Sequence, residues 1–278
     1  LQRQMLYDEC DVQNGLPKAV AAAEKLARIN STVDIEPHVT EVTWQNAEQL
    51  LTGVDLILDG TDNFAVRYLM NDISIKYGIP YVYGGIIGAS GSSAFFWPGH
   101  TPCLACLYPE PPSPGSMETC ETVGIIGPVV HLVTAFQATE ALKYLIGDVQ
   151  HLARRLYSVD LWNNHIFQLP LDGKQNPTCP VCVRRHFRFL EEQESVIQEA
   201  VLCGQNTVQI RPAQPLHQDL EALAKRLAAH GKVEQNRFLV RLHLESYSLV
   251  LFRDGRVLIQ GTDDVTTARR LYAQYVGM

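Results

Sequence analysis

The chain has 278 residues, of which 46% are hydrophobic, so it can bury at least one sizeable core, and its length predicts roughly two domains. Its formal net charge of −7 argues against nucleic acid or an anionic membrane as a main partner, because both would favour a basic surface. Any site that binds a nucleotide must therefore be locally basic.

The sequence predicts neither a membrane span nor a signal peptide. The least charged stretch, residues 122–139, contains two glycines, a proline, a histidine and a glutamine, which indicates a buried helix rather than a span. Residues 1–11 lack the charged and apolar regions of a signal peptide. Four of the seven cysteines fall in two C-x-x-C pairs, which favours a reducing compartment, and the cytoplasm is the expected location.

The first 190 residues alternate between predicted helices and apolar strands. A strand that ends in Asp59-Gly-Thr-Asp-Asn63 and opens a helix is typical of an open α/β sheet. The helices are predicted at residues 17–29, 63–77 and 128–146, and the strands at 54–58, 79–87, 92–97, 155–162 and 165–169. The pattern predicts an α/β fold with a Rossmann-like, mostly parallel sheet and flanking helices.

A charged stretch at residues 184–200 predicts a linker to a second, smaller domain at 200–278. Strands and helices alternate there over short intervals, which predicts an α+β unit. The strands are predicted at residues 208–210, 238–244, 249–252 and 257–260, and the helices at 220–229 and 265–275.

Two C-x-x-C pairs are the most specific chemical signal in the sequence: Cys103 with Cys106, and Cys179 with Cys182. Two thiolates three residues apart fit one turn, and two such turns complete a tetrahedron around zinc. Such a site has no open coordination position, so its predicted role is structural. The alternatives are two disulfides, unrelated reduced thiols or a thioredoxin-like redox pair.

Several motifs occur in a fixed order along the same 190 residues. They are Leu1-Gln-Arg-Gln4, Gly15-Leu-Pro-Lys18, Leu58-Asp-Gly-Thr-Asp-Asn63 with Arg67 and Asn71, the cysteine pairs, and Thr119-Cys120 followed by Val123-Gly-Ile-Ile-Gly-Pro128. In this order they resemble the ThiF/MoeB/HesA adenylyltransferases, which are relatives of the ubiquitin-activating enzymes. The resemblance covers about residues 1–190, and residues 200–278 resemble the C-terminal extension of some bacterial thiazole-biosynthesis members.

The resemblance implies an adenylation domain at 1–190 that uses ATP and Mg²⁺, with zinc on the four cysteines. Arg3, Gln4 and Lys18 are expected to approach the ATP phosphates. Asp62 is expected to bind magnesium, since it follows the carboxyl end of a buried strand and magnesium prefers carboxylates beside phosphate oxygens. Asn63 and Arg67 are expected to orient the nucleotide site.

The implied reaction is attack by the C-terminal glycine carboxylate of a ubiquitin-like sulfur carrier on the α-phosphorus of ATP, giving an acyl adenylate and pyrophosphate. Cys120 lies between a proline-rich loop and a helix and is a candidate for a covalent link with the activated carrier or for sulfur transfer. The implied partners are a ThiS-like or MoaD-like carrier, a cysteine desulfurase or other sulfur donor, and a second copy of the chain in a homodimer.

The family's glycine-rich phosphate loop, its ribose-binding acidic residue and the asparagine ahead of Leu1 are not in this sequence. The domain is therefore expected to be incomplete at its N-terminus, and a chain that began here would bind ATP poorly. Three functions remain open: adenylation of a ThiS-like carrier for thiamine thiazole synthesis, adenylation of a MoaD-like carrier for molybdopterin synthesis, and a non-catalytic, zinc-stabilised carrier-binding module.

Overall fold

The computed structural model describes residues 1–111, 123–191, 198–202, 206–212 and 218–277, with the backbone alone at 198–202. The chain folds into two compact units. The sheet unit is Glu41–Gln193, and the terminal unit joins Leu1–Thr40 with Glu194–Met278. The predicted division into an adenylation domain at 1–190 and a small domain at 200–278 stays a prediction.

The elements of the described residues follow in chain order. The helices are α1 (Glu9–Gln13), α2 (Lys18–Ile29), α3 (Ala47–Leu51), α4 (Phe64–Tyr77), α5 (Leu104–Leu107), α6 (Gly127–Leu145), α7 (Arg188–Glu191), α8 (Leu220–Leu227) and α9 (Val265–Tyr275), with a 3₁₀ turn at Val149–His151. The strands are β1 (Ile57–Leu58), β2 (Tyr81–Ile87), β3 (Ser90–Phe96), β4 (Arg155–Asp160), β5 (His165–Pro170), β6 (Gln198–Leu202), β7 (Thr207–Arg211), β8 (Lys232–Gln235), β9 (Leu239–His243), β10 (Ser248–Phe252) and β11 (Val257–Gln260). None of the helices in this part of the chain has the length and apolar character that a membrane crossing requires.

The sheet unit contains a five-stranded sheet in the order β1-β2-β3-β4-β5. Helix α4 connects the parallel pair β1 and β2, and this βαβ unit with its flanking helices confirms the predicted α/β class. The parallel share of the sheet is smaller than predicted, because the three other pairs of this sheet are antiparallel. Only residues 88–89 separate β2 from β3, and 161–164 separate β4 from β5, and such short loops permit only antiparallel pairing.

Helices cover both faces of this sheet, and successive strand residues alternate between them. Tyr81 and Phe96 belong to the buried cluster that includes Ile73 of α4. Their strand neighbours Val82 and Phe95 belong to a cluster against which Tyr144 of α6 packs. This alternation is the two-residue period of a strand buried on both faces.

Local signals define the ends of helix α4, which carries the candidate site. The Asn63 side chain accepts hydrogen bonds from the amides of Ala65 at 2.8 Å and Val66 at 3.4 Å, as an N-cap does. Gly78 ends the helix in the left-handed conformation, with φ of +73°. The helix predicted at 63–77 is therefore confirmed to within one residue.

The terminal unit is built on a six-stranded antiparallel sheet in the order β6-β7-β11-β10-β9-β8. Helices α8 and α9 contribute Leu223, Leu227 and Leu271 to the core formed with this sheet. The edge strands β6 and β8 were not predicted. Strand β6 falls at the end of the stretch interpreted as a linker, and β8 has exposed residues at three of its four positions, so neither gives an apolar pattern.

Gly91 of β3 gives α6 room to approach the sheet. A Cβ atom at this position would lie 2.5 Å from Cγ2 of Val133 and 3.1 Å from Cγ2 of Val129. We expect Gly91→Ala to lower the free energy of unfolding by about 1–3 kcal/mol through overpacking, measured by urea denaturation. The double variant with Val133→Ala should lose less than the sum of the two single losses; additive losses would contradict this explanation.

Candidate functional site

The four cysteines of the C-x-x-C pairs come together in the sheet unit. Cys103 Sγ lies 3.8 Å from that of Cys106 and 3.7 Å from that of Cys179, and the Sγ atoms of Cys106 and Cys182 are 3.4 Å apart. All four sulfur atoms lie within 4.8 Å of one another. These separations are far longer than an S–S bond, and the four thiols form one cluster rather than two separate pairs.

The donor set fits a tetrahedral metal ion. Four thiolates about 2.3 Å from one zinc ion would place their sulfur atoms about 3.8 Å apart, close to the observed separations. Cys103 and Cys179 are buried, and the backbone amide of Asn176 donates to Cys106 Sγ at 3.5 Å. Hydrogen bonding among the four thiols lowers the pKa of Cys106 and Cys179 and raises that of Cys103 and Cys182, so without a bound cation the cluster favours two thiolates rather than four.

Helix α4 holds the segments that carry these cysteines. Asn71 accepts a hydrogen bond from the amide of Leu104, next to Cys103, at 2.9 Å. Asp72 accepts one from the amide of Phe189 at 2.9 Å, in the segment that follows the second cysteine pair. Burial raises the pKa of Asp72 to about 7, and both side chains are buried. The polar middle of α4 therefore fixes the surroundings of the cysteine cluster.

At its other end, α4 begins in the loop that contains Asp62. Asp62 lies between the carboxyl end of β1 and the N-cap Asn63, and its side chain is exposed. Among the described residues, the Asp62 carboxylate has no hydrogen-bond or ion-pair partner. It is a hard oxygen donor at the carboxyl edge of a strand, which fits the chemistry of a magnesium ligand.

Arg67 is buried one turn into α4 and contacts the same loop. Its Nε lies 3.3 Å from Oδ2 of Asp59, and its Nη2 donates to the carbonyl of Thr61 at 2.5 Å. Its guanidinium lies 5.3 Å from the ring centre of Phe64 and 5.5 Å from that of Tyr83. These contacts make Arg67 a brace for the loop, and its contact with a nucleotide stays a prediction.

Sequence reasoning missed the side chains that surround Asp59. The buried Asp59 carboxylate accepts hydrogen bonds from the hydroxyls of Thr61 and Tyr81, each at 2.8 Å. Gln137 of α6 donates through Nε2 to the Asp59 carbonyl at 2.8 Å. The sequence offers one signal: Gln137 lies four residues from both Val133 and Ala141, on one face of α6, and a glutamine on a buried face needs a partner.

Arg3, Gln4 and Lys18 lie in the terminal unit. Arg3 and Lys18 are exposed, and Lys18 is the first residue of α2. Gln4 is half-buried, and its carbonyl accepts a hydrogen bond from the amide of Tyr7 at 3.0 Å. Their convergence on Asp62 stays a prediction, as does the role of Cys120, which lies outside the described residues.

Comparisons with known proteins agree with the motif order. Residues 1–181 match the ThiF family. The whole chain is 42% identical to the sulfur carrier protein ThiS adenylyltransferase of Bacillus subtilis (strain 168), of which it covers 81%. A second relative, the sulfur carrier protein adenylyltransferase of Thermus thermophilus, is 37% identical over 66% of this chain and 68% of its own length.

A solved structure of Escherichia coli MccB with ATP shares the fold, with a TM-score of 0.55 and 19% identity over 66% of this chain. The chain spans about half the length of MccB, 55% of it. At this identity the likeness concerns the fold alone. The family match and the 42% identity along the whole chain confirm the predicted resemblance, and the chain belongs to the ThiF family.

Proposed function

We propose that the protein adenylates the C-terminal glycine carboxylate of a ThiS-like sulfur carrier for thiamine thiazole synthesis. One observation carries the choice of carrier. The ThiS adenylyltransferase of Bacillus subtilis aligns with all 278 residues, including the small C-terminal domain, whereas MOCS3 of Anopheles gambiae aligns over 66% of the chain. A MoaD-like carrier is the alternative substrate, and a non-catalytic carrier-binding module is the alternative without chemistry.

In the proposed reaction, a carrier carboxylate oxygen bonds to the α-phosphorus of ATP while the bond to the bridging oxygen breaks and pyrophosphate leaves. Magnesium, when bound, neutralises phosphate charge, and Asp62 is the residue proposed to hold it. Arg3, Gln4 and Lys18 are proposed to bind the phosphates, Arg3 as a planar fork and Lys18 as a point charge. Positioning and charge neutralisation account for such chemistry without a general base.

The metal of the cysteine cluster is proposed to be zinc in a structural role. Four thiolate donors leave no coordination position for a substrate, and thiolates are ligands that zinc prefers. The proposal also includes a homodimer, a cysteine desulfurase or other sulfur donor, a cytoplasmic location and a role for Cys120 in carrier or sulfur transfer. A thiolate metal site forms only from reduced cysteines, so the proposed zinc site supports a reducing compartment.

Exchange of labelled pyrophosphate into ATP tests the reaction and the carrier together. With the full-length protein, we expect carrier-dependent exchange with a ThiS-like protein and at least about tenfold slower exchange with a MoaD-like protein, a difference of about 1.4 kcal/mol in transition-state binding. Faster exchange with the MoaD-like carrier would instead favour a role in molybdopterin synthesis. Binding of a carrier without exchange would favour the non-catalytic module.

Asp62→Ala tests the proposed magnesium ligand. We expect the exchange rate to fall by about 10² or more, because the variant loses the carboxylate that holds the metal beside the phosphates. Asp55→Ala is the matched control, since Asp55 is also exposed and lies at the opposite end of β1. Exchange at the wild-type rate in Asp62→Ala would refute the assignment.

Cys179→Ser tests the metal cluster by metal analysis and thermal unfolding. We expect bound zinc to fall from about one per chain to nearly none, and the melting temperature to drop by roughly 10 °C or more, because metal binding contributes to folding. Cys10→Ser is the control, since Cys10 is exposed and outside the cluster. An unchanged zinc content in Cys179→Ser would contradict the site.

A further inference from the structure

We propose that Gln137 is a positioning residue: with the buried Asp59 carboxylate, its amide fixes the loop 59–63 so that the loop presents Asp62 to the metal. The consequence for catalysis rests on the proposed function, whereas the structural part of the inference depends only on contacts within the sheet unit. Gln137 lies on α6, 75 residues after Asp62 along the chain, and only 7% of it is exposed.

The Gln137 amide bridges the carboxyl end of β1 and the first residues of β2, its parallel neighbour. Its Nε2 donates to the carbonyl of Asp59, just after β1, at 2.8 Å and to the carbonyl of Val82 in β2 at 3.3 Å. The Val82 carbonyl also accepts the backbone amide of Asp59 at 3.0 Å. Because both partners of the side chain are carbonyls, only its NH₂ group can satisfy them, which settles the amide orientation.

Gly84 provides the space that this amide occupies. A Cβ atom on Gly84 would lie 2.6 Å from Nε2 of Gln137 and 2.8 Å from its Cδ. Cβ atoms do not come that close to other atoms, so β2 has room for the Gln137 amide only because residue 84 is glycine. The close approach shows that the amide sits in a matched slot between α6 and β2, and its position is therefore tightly defined.

The rest of the loop is held on both sides of Asp62. Oδ1 of Asp59 accepts the amide and hydroxyl of Thr61, each at 2.8 Å, and the Thr61 carbonyl accepts from Arg67. Asn63 caps α4. Among the described residues, none makes a polar contact with the Asp62 side chain. Its carboxylate is therefore free for a ligand while the backbone around it is fixed. A fixed backbone with an unpaired carboxylate is a preorganised cation ligand.

Gln137→Met tests the proposal, because it keeps the length of the side chain and removes its donors. We expect hydrogen exchange of a peptide covering residues 57–63 to accelerate about tenfold, since the Asp59 carbonyl loses its partner. We also expect the free Mg²⁺ concentration that half-saturates pyrophosphate exchange to rise about tenfold, with a smaller change in the rate at saturating Mg²⁺. Gln168→Met is the control, because Gln168 is an exposed glutamine of the same unit, on β5.

Gly84→Ala tests the same contact from the side of β2. The added methyl group should displace the Gln137 amide, so this variant should shift hydrogen exchange and Mg²⁺ dependence in the same direction. The double variant with Gln137→Met should be no worse than the more severe single variant, because both changes break one interaction.

Two outcomes would overturn the inference. One is unchanged hydrogen exchange at residues 57–63 in Gln137→Met. The other is a lower exchange rate that follows the folded fraction at an unchanged Mg²⁺ half-saturation, as a purely structural role predicts. If the wild-type protein catalyses no pyrophosphate exchange with either carrier, the proposed function fails, and the hydrogen-exchange comparison still decides whether Gln137 holds the loop.

Discussion

The sheet unit depends on polar side chains that helix α4 carries into its interior. Arg67, Asn71 and Asp72 are buried on this helix, and a buried polar group destabilises the fold unless a partner satisfies it. Each of the three contacts a different segment: the loop after β1, the first cysteine pair and the segment after the second pair. These three segments are therefore held by polar contacts to one helix. Because that helix is rigid, it also fixes their positions relative to one another.

Helix α4 thus contacts both the surroundings of the cysteine cluster and the loop that contains Asp62. A metal ion held by the four cysteines would close a loop of more than 70 residues between Cys106 and Cys179, which would restrict the unfolded chain and stabilise the strands and helices that lie between. The middle of α4 contacts the segments around the cysteines, and its N-terminus begins beside Asp62. In the proposed function the two metals would have different ligands for a physical reason: soft sulfur suits a structural zinc ion, and the hard oxygen of Asp62 suits a phosphate-bound magnesium ion.

Sequence reasoning succeeded where the signal is local. Asn63 and Gly78 mark the ends of α4, and the spacing of the cysteines predicts their cluster. It failed where the partner is distant along the chain. Nothing near Gln137 indicates that its amide will meet the Asp59 carbonyl, 78 residues away. The predicted sheet has more parallel strand pairs than the observed one. The alternation of strands and helices does not reveal that only two residues separate β2 from β3.

The family resemblance and the structure contribute different residues to the same loop. The resemblance implies that the exposed carboxylate of Asp62 binds a magnesium ion. It gives no account of Asp59, Tyr81 or Gln137, whose groups are directed at one another and at the backbone. These residues act by fixing the backbone: the buried Asp59 carboxylate closes a turn onto Thr61, and the Gln137 amide occupies the space left by Gly84. A loop of five residues has too few hydrogen-bond partners of its own, so Gln137 of α6 and Arg67 of α4 supply them. The position of the Asp62 carboxylate therefore depends on the helices around the loop and not on the loop motif alone.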